Sequence, residues 1–188
     1  MIQFRLLLMA QVFTVEQPRV DLECPPGVQV PGPASLDLLK YLFSIRGKSV
    51  LDLGCGAGLF AIASAKLGAA EVWATDADRA AVDATRRNAE RNGVDVIAKL
   101  GELFEAVDGR TFDLIISMPN ADSYEAILRQ APEYLDRGGE LLTCFPVLDE
   151  TPRFESLLRE RFRFRQLPET RVDPRHETPL RSYLAMKL

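Results

Sequence analysis

The run Val50-Leu51-Asp52-Leu53-Gly54-Cys55-Gly56-Ala57-Gly58 constrains this 188-residue chain more than any other stretch. A short apolar strand ends in three alternate glycines, and an apolar segment from Leu59 to Leu67 follows, closed by Gly68. Glycine tolerates positive φ and leaves space where a side chain would stand. A strand, a tight glycine turn and a helix in succession open a βαβ unit. Its parallel strands present ligand sites at their carboxyl ends.

Strand and helix signals keep alternating on both sides of that turn, which predicts an α/β domain with a mostly parallel sheet and helices on both faces. The apolar spacing predicts helices over 35–44, 59–67 and 78–92, the last with Asp78 as N-cap and Gly93 as its left-handed stop. A further helix around 124–135 carries Pro132, and Thr151-Pro152 opens one through about Arg161. Strands are expected at 48–53, 71–75, 94–100, 112–117 and 140–145, the last after a Gly138-Gly139 turn, then near 164–167 and 182–187. Residues 1–33 differ: Val12–Val15 and Val20–Glu23 alternate like a hairpin, and a Pro/Gly-rich passage follows. They read as a β flap on one compact domain over 34–188.

Composition excludes several classes. No run of about 18 apolar residues exists to span a bilayer, and Leu6–Ala10 reads as a strand rather than a leader. Cys24, Cys55 and Cys144 are odd in number and widely spaced, which argues against a disulfide framework and fits a reducing cytoplasm. His176 is the only histidine and no pair has zinc-ligand spacing, so no metal is expected. Residues 1–150 hold 14 Lys/Arg against 22 Asp/Glu, whereas 151–188 hold 9 against 5. The basic end, with Arg159, Arg161, Arg163 and Arg165, either meets RNA or an acidic partner or is a strand's solvated face, with Phe162 and Phe164 inward. The second reading is preferred.

The turn has its own chemistry. Asp76 ends the next strand, 18 residues past Gly58, where a carboxylate can accept both hydroxyls of a ribose. A dinucleotide fingerprint starting at Gly54 would need glycine or alanine at position 59, which is Leu59. The acid Asp52 ahead of the glycines would also repel a pyrophosphate, yet it suits an ammonium or sulfonium cation.

With these residues the chain resembles class I, S-adenosylmethionine-dependent methyltransferases over at least 25–146. The resemblance implies their three-layer Rossmann-like fold with a seven-stranded, mostly parallel sheet, and S-adenosyl-L-methionine as cofactor. It implies that Asp52, Gly54, Cys55, Gly56, Gly58 and Leu59 form the methionine-side turn, with Asp76 on the ribose and Ala77 beside the adenine. Gly101-Glu102-Leu103-Phe104-Glu105 is similar to the family's G-D-L-F segment, placing Glu102 at the adenine amino group and Leu103 against the ring. The resemblance also implies that Ser117, which closes the fourth strand, stands beside the cofactor.

Pro26-Gly27-Val28-Gln29-Val30-Pro31 resembles the entry of the methyltransferase small domain branch, which includes protein-glutamine and rRNA guanine-N2 methyltransferases. The stretch 68–93 equally resembles methyltransferases of ribosomal-protein amines. These relatives imply a nitrogen acceptor in RNA or a translation protein. They differ from this chain where an N-P-P-Y motif would hold a planar nitrogen: here the residues are Met118-Pro119-Asn120-Ala121. That departure keeps open a small-molecule substrate, or a binding subunit without chemistry. Met118, Pro119, Asn120 and Tyr124 are the candidate substrate contacts, although Asn120 and Tyr124 would also serve to cap or pack the next helix. No catalytic side chain is assigned, because methyl transfer needs mainly positioning. Cys55 reads as a small packing residue.

Overall fold

The computed structural model describes residues 11–16, 18–42, 44–146, 151–168 and 180–188. The expected strand at Leu6–Ala10 and the expected surface position of His176 lie outside them. Strands β1 (Gln11–Glu16) and β2 (Arg19–Cys24) pair antiparallel as a separate hairpin. The main body follows as α1 (Pro33–Leu39), β3 (Ser49–Leu53), α2 (Leu59–Lys66), β4 (Glu71–Asp76), α3 (Arg79–Asn92) and β5 (Ile97–Leu100). Then come β6 (Phe112–Ser117), α4 (Ala121–Gln130), β7 (Leu135–Pro146), α5 (Thr151–Arg161), β8 (Phe162–Gln166) and β9 (Leu180–Lys187).

These strands form one seven-stranded sheet in the order β5-β4-β3-β6-β7-β9-β8. β5 through β7 are parallel, and β9 runs antiparallel between β7 and β8. The chain leaves β3 toward β4 on one side and later returns to β6 on the other. The carboxyl ends of β3 and β6 therefore border the topological switch point, where open α/β sheets bind ligands.

Alternation along the strands divides the core into two layers. Val50, Val72, Leu114, Ile116 and Leu142 pack with α1, α2, α3 and β2 on one face. Leu51, Ile115, Leu141, Phe145 and Tyr183 pack with α4 and α5 on the other. Each such side chain contributes about 1.5–3 kcal/mol when fully buried. α2 lies under the turn with Leu59 through Ser64 all buried, so it is apolar around its circumference rather than on one stripe.

Both caps expected on α3 are present. The Asp78 carboxylate accepts from the Ala80 N–H at 2.8 Å, and Gly93 stands in the left-handed region at φ 65°. α4 begins at Ala121, earlier than the sequence reading placed it, because the Asn120 side chain accepts from the Ser123 N–H at 3.0 Å. Pro132 falls in a 3₁₀ turn over Ala131–Tyr134, where its missing N–H costs nothing. Gly138-Gly139 is an irregularity inside β7 rather than a turn before it. The register with β6 shifts between Phe112 and Leu114, and a Cβ on Gly139 would stand 2.8 Å from the Phe112 carbonyl oxygen. Arg159 and Arg161 end α5, while Arg163 and Arg165 are exposed on β8; Phe162 is buried and Phe164 half-buried. No helix among the described residues is long and apolar enough to cross a membrane.

Candidate functional site

The turn between β3 and α2 is built by backbone that only glycine holds without strain. Gly54, Gly56 and Gly58 have φ of 81°, 54° and 88°. The N–H groups of Gly54 and Cys55 both donate to the Thr75 carbonyl, at 2.8 and 3.0 Å, which ties the turn to the end of β4. A Cβ added to Gly54 would meet nothing within 4 Å, so this face of the turn is open, on the side where the switch point of such a sheet forms its crevice. Gly58 is closed instead: a Cβ there would lie 2.9 Å from Thr85 Cγ2 and Oγ1. Gly58→Ala is accordingly expected to cost about 2 kcal/mol, from the left-handed backbone plus that contact. Chemical denaturation should register it as a lower midpoint.

Asp76 stands beside the turn, half-buried. One carboxylate oxygen accepts from the Gly56 N–H at 2.9 Å and the other from the Asp78 N–H at 3.0 Å. A carboxylate has about four lone-pair sites, so each oxygen retains one for a further donor. The residue is thereby aimed and still available. Ala77, exposed, separates it from the Asp78 cap.

Asp52 occupies a different place from that expected of a residue touching ligand. It is 1% exposed, and its carboxylate accepts from the Ala61 N–H at 3.0 Å in the first turn of α2. Burial pushes its pKa up to about 7; the Ala61 hydrogen bond opposes that rise and the charge of Asp76 adds to it. Cys55 and Leu59 are also buried, and desolvation raises the Cys55 thiol well above its ordinary range, which disfavours the thiolate. Ser117 sits level with Leu53 at the ends of β6 and β3, and its buried hydroxyl donates to the Leu53 carbonyl at 2.9 Å. Its side chain joins the two strands that border the crevice.

The third wall follows β5. Gly101 N–H donates to the Asp76 carbonyl at 3.1 Å, and Glu102 is exposed. Leu103, half-buried, has φ 46°, the only positive value at a non-glycine among the described residues. Such strain persists only where the surroundings impose it, and it concentrates at ligand sites. Phe104 beneath it is buried and stacks on Tyr134 at 4.3 Å between centroids.

Of the candidate substrate contacts, Met118 and Pro119 are half-buried just past β6, at the rim of the crevice. Asn120 caps α4. Tyr124 takes the packing alternative: it is fully buried, 4.5 Å from the Phe145 ring centroid and 4.4 Å from that of Phe154. No group of three or more His, Cys, Asp or Glu side chains suited to a metal occurs among the described residues.

Two functional side chains escaped the sequence reading. Thr85 Oγ1 donates to the Gly56 carbonyl at 3.0 Å, and Asn88 Nδ2 donates to the Ala57 carbonyl at 2.9 Å. Both lie on the buried face of α3 and hold the turn from behind. The available signal was two polar residues among the apolar positions of that face, Ala81, Val82, Ala84 and Ala89.

Known proteins share both pattern and fold. A protein 40% identical over 119 residues, from Thermosipho africanus, is named ribosomal protein L11 methyltransferase; the match covers 63% of this chain and 45% of that protein. The chain thus spans about half the length of the curated relatives it matches. The solved 16S rRNA N2 methyltransferase of T. Thermophilus, in complex with AdoMet and guanosine, superposes with a TM-score of 0.78 at 26% identity, over 95% of this chain and 50% of that one. The ribosomal protein L11 methylase of Lactobacillus delbrueckii subsp. bulgaricus does so with a TM-score of 0.71 at 26% identity, over 87% and 83%. The family model for ribosomal protein L11 methyltransferase (PrmA) matches residues 34–156, the span that carries the glycine turn, Asp76 and the Leu103 wall, and the chain belongs to that family.

Proposed function

We propose that this chain binds S-adenosylmethionine in the glycine-turn crevice and transfers its methyl group to a nitrogen of a translation component, a ribosomal protein before an RNA. The observation that carries the reading is the open face of Gly54 beside an Asp76 carboxylate that two backbone N–H groups already aim. The family membership and the AdoMet held by the rRNA methyltransferase of similar fold support it.

When bound, the cofactor supplies a methyl group on a sulfonium sulfur, and the chain supplies placement. Gly54 admits close approach of the ligand to the backbone. The free lone pairs of Asp76 take the ribose hydroxyls, while Glu102 and Leu103 face the adenine. Where it is ionised, Asp52 sets a negative potential behind the turn, which suits a cation. Met118 and Pro119 border the acceptor side, and no side chain is required as a fixed base when a deprotonated nitrogen is held in line.

Calorimetry is expected to show S-adenosylmethionine or its demethylated product binding, and Asp76→Ala weakening it by about 1–3 kcal/mol through lost charge-assisted hydrogen bonds. Preference for NAD would overturn the cofactor. Tritiated methyl transfer into a cell extract should label protease-sensitive material. Label confined to nuclease-sensitive material would move the acceptor to RNA, and label confined to small molecules would overturn the macromolecular acceptor.

A further inference from the structure

α3 does more than hold the turn. Asn88 is 1% exposed and uses every polar atom of its side chain. Its Oδ1 accepts from the Glu23 N–H at 2.9 Å, and its Nδ2 donates to the Glu23 carbonyl at 3.0 Å and to the Ala57 carbonyl at 2.9 Å. Four residues on, Asn92 repeats the pairing one step along β2. Its Oδ1 accepts from the Asp21 N–H at 3.0 Å and its Nδ2 donates to the Asp21 carbonyl at 2.7 Å. Arg91 adds an ion pair to Glu23.

The match is geometric. Residues four apart on a helix rise about 6 Å, and residues two apart on a strand are about 6.6 Å apart with their peptide groups on the same edge. Two asparagine amides therefore stand where a neighbouring strand would stand, and the β2 edge pairs with side chains. The chain leaving β2 then passes over the turn: a Cβ on Gly56 would lie 3.9 Å from the Gln29 carbonyl oxygen.

Among the described residues the Asn92 side chain hydrogen-bonds to the hairpin and to the Asn88 carbonyl, whereas that of Asn88 hydrogen-bonds to both the hairpin and the glycine turn. From this we propose that Asn88 is a positioning residue that joins the β1–β2 hairpin to the cofactor turn, so that filling the turn holds the hairpin down as a wall of the site. The hairpin is then part of the binding unit rather than an independent flap. The inference rests on the crevice being the S-adenosylmethionine site.

Hydrogen exchange with and without S-adenosylhomocysteine tests it on the unaltered chain. The Asp21 and Glu23 amides, which donate to the two asparagines, are expected to slow several-fold more on ligand binding than amides between β8 and β9, which report whole-chain stabilisation. In Asn88→Ala the ligand should bind roughly tenfold more weakly, as for one buried hydrogen bond. At saturation the extra slowing at Asp21 and Glu23 should be gone. Asn92→Ala should speed exchange at Asp21 yet change affinity less than threefold. Asn88→Asp, which keeps the acceptor for Glu23 and loses the donor to Ala57, should behave as Asn88→Ala does toward ligand. Absence of ligand binding by the unaltered chain would sink the cofactor reading. Binding without the extra slowing, or equal loss of affinity in Asn88→Ala and Asn92→Ala, would overturn the role of Asn88.

Discussion

Tyr124→Ala is expected to destabilise the chain by about 3–5 kcal/mol, the range for removing a fully buried aromatic ring. The ring lies between Phe145 and Phe154, and Phe145 stacks in turn on Tyr183 at 5.0 Å, so a cavity there loosens α4, α5, β7 and β9 together. Tyr124→Phe separates this structural role from recognition of substrate. The Tyr124 hydroxyl is buried close to that of Thr143, neither makes a well-formed hydrogen bond among the described residues, and burial raises its pKa far above the ordinary phenol range. Removing a hydroxyl that makes no well-formed hydrogen bond should leave stability unchanged or higher. Thermal unfolding of both variants is the measurement. A large loss in Tyr124→Phe, or methyl transfer lost in that variant at full stability, would return Tyr124 to the substrate site.

The second large effect is a dependence on pH. Burial first of all raises the folded-state pKa of Asp52 from 3.8 to about 7. The folded chain therefore holds this proton where the unfolded chain has released it. The associated stability is complete below about pH 4, declines as pH rises, and is gone above about pH 7. A rise of that size corresponds to roughly 4 kcal/mol. Asp52→Asn keeps an acceptor for the Ala61 N–H and carries no charge to bury. Its denaturation midpoint should exceed that of the unaltered chain at pH 8 and converge with it near pH 4. Parallel curves from pH 4 to 8 would disprove the buried ionisation. The same variant should bind a cationic ligand less well at pH 8, since the ionised carboxylate behind the turn supplies attraction at a cost in stability.

Legibility of the fold followed the range of the interactions involved. The alternate glycines, Asp76 at a strand end and the Asp78 and Gly93 caps are local signals, and each predicts its element without knowledge of the rest. Where a local signal had two readings, the tertiary structure chose. Gly138-Gly139 resembles a turn, but β6 pairs across it and the glycines become a bulge. Pro132 resembles a kink inside a helix, but α4 begins earlier under the Asn120 cap and ends before the proline. Asp52 and Tyr124 were visible as residues of interest, while their burial was not: Asp52 lies under the helix that follows its own strand, and Tyr124 packs on rings from β7 and α5, which come later in the chain. Thr85 and Asn88 were hardest to see. Their partners, mostly main-chain atoms, lie 29 to 65 residues away, which no periodicity within α3 reveals.

The paired asparagines also limit how the chain can change in length. Peptide groups on a strand alternate edges residue by residue, so β2 meets Asn88 and Asn92 only through Asp21 and Glu23. Residues can be added at the tip between β1 and β2, because nothing downstream shifts. A single residue gained or lost between Glu23 and Gln29 would either turn the wrong edge toward the asparagines or pull the covering loop off Gly56. Inserted residues are therefore expected to be tolerated on the far side of the hairpin and to disrupt the site on the near side.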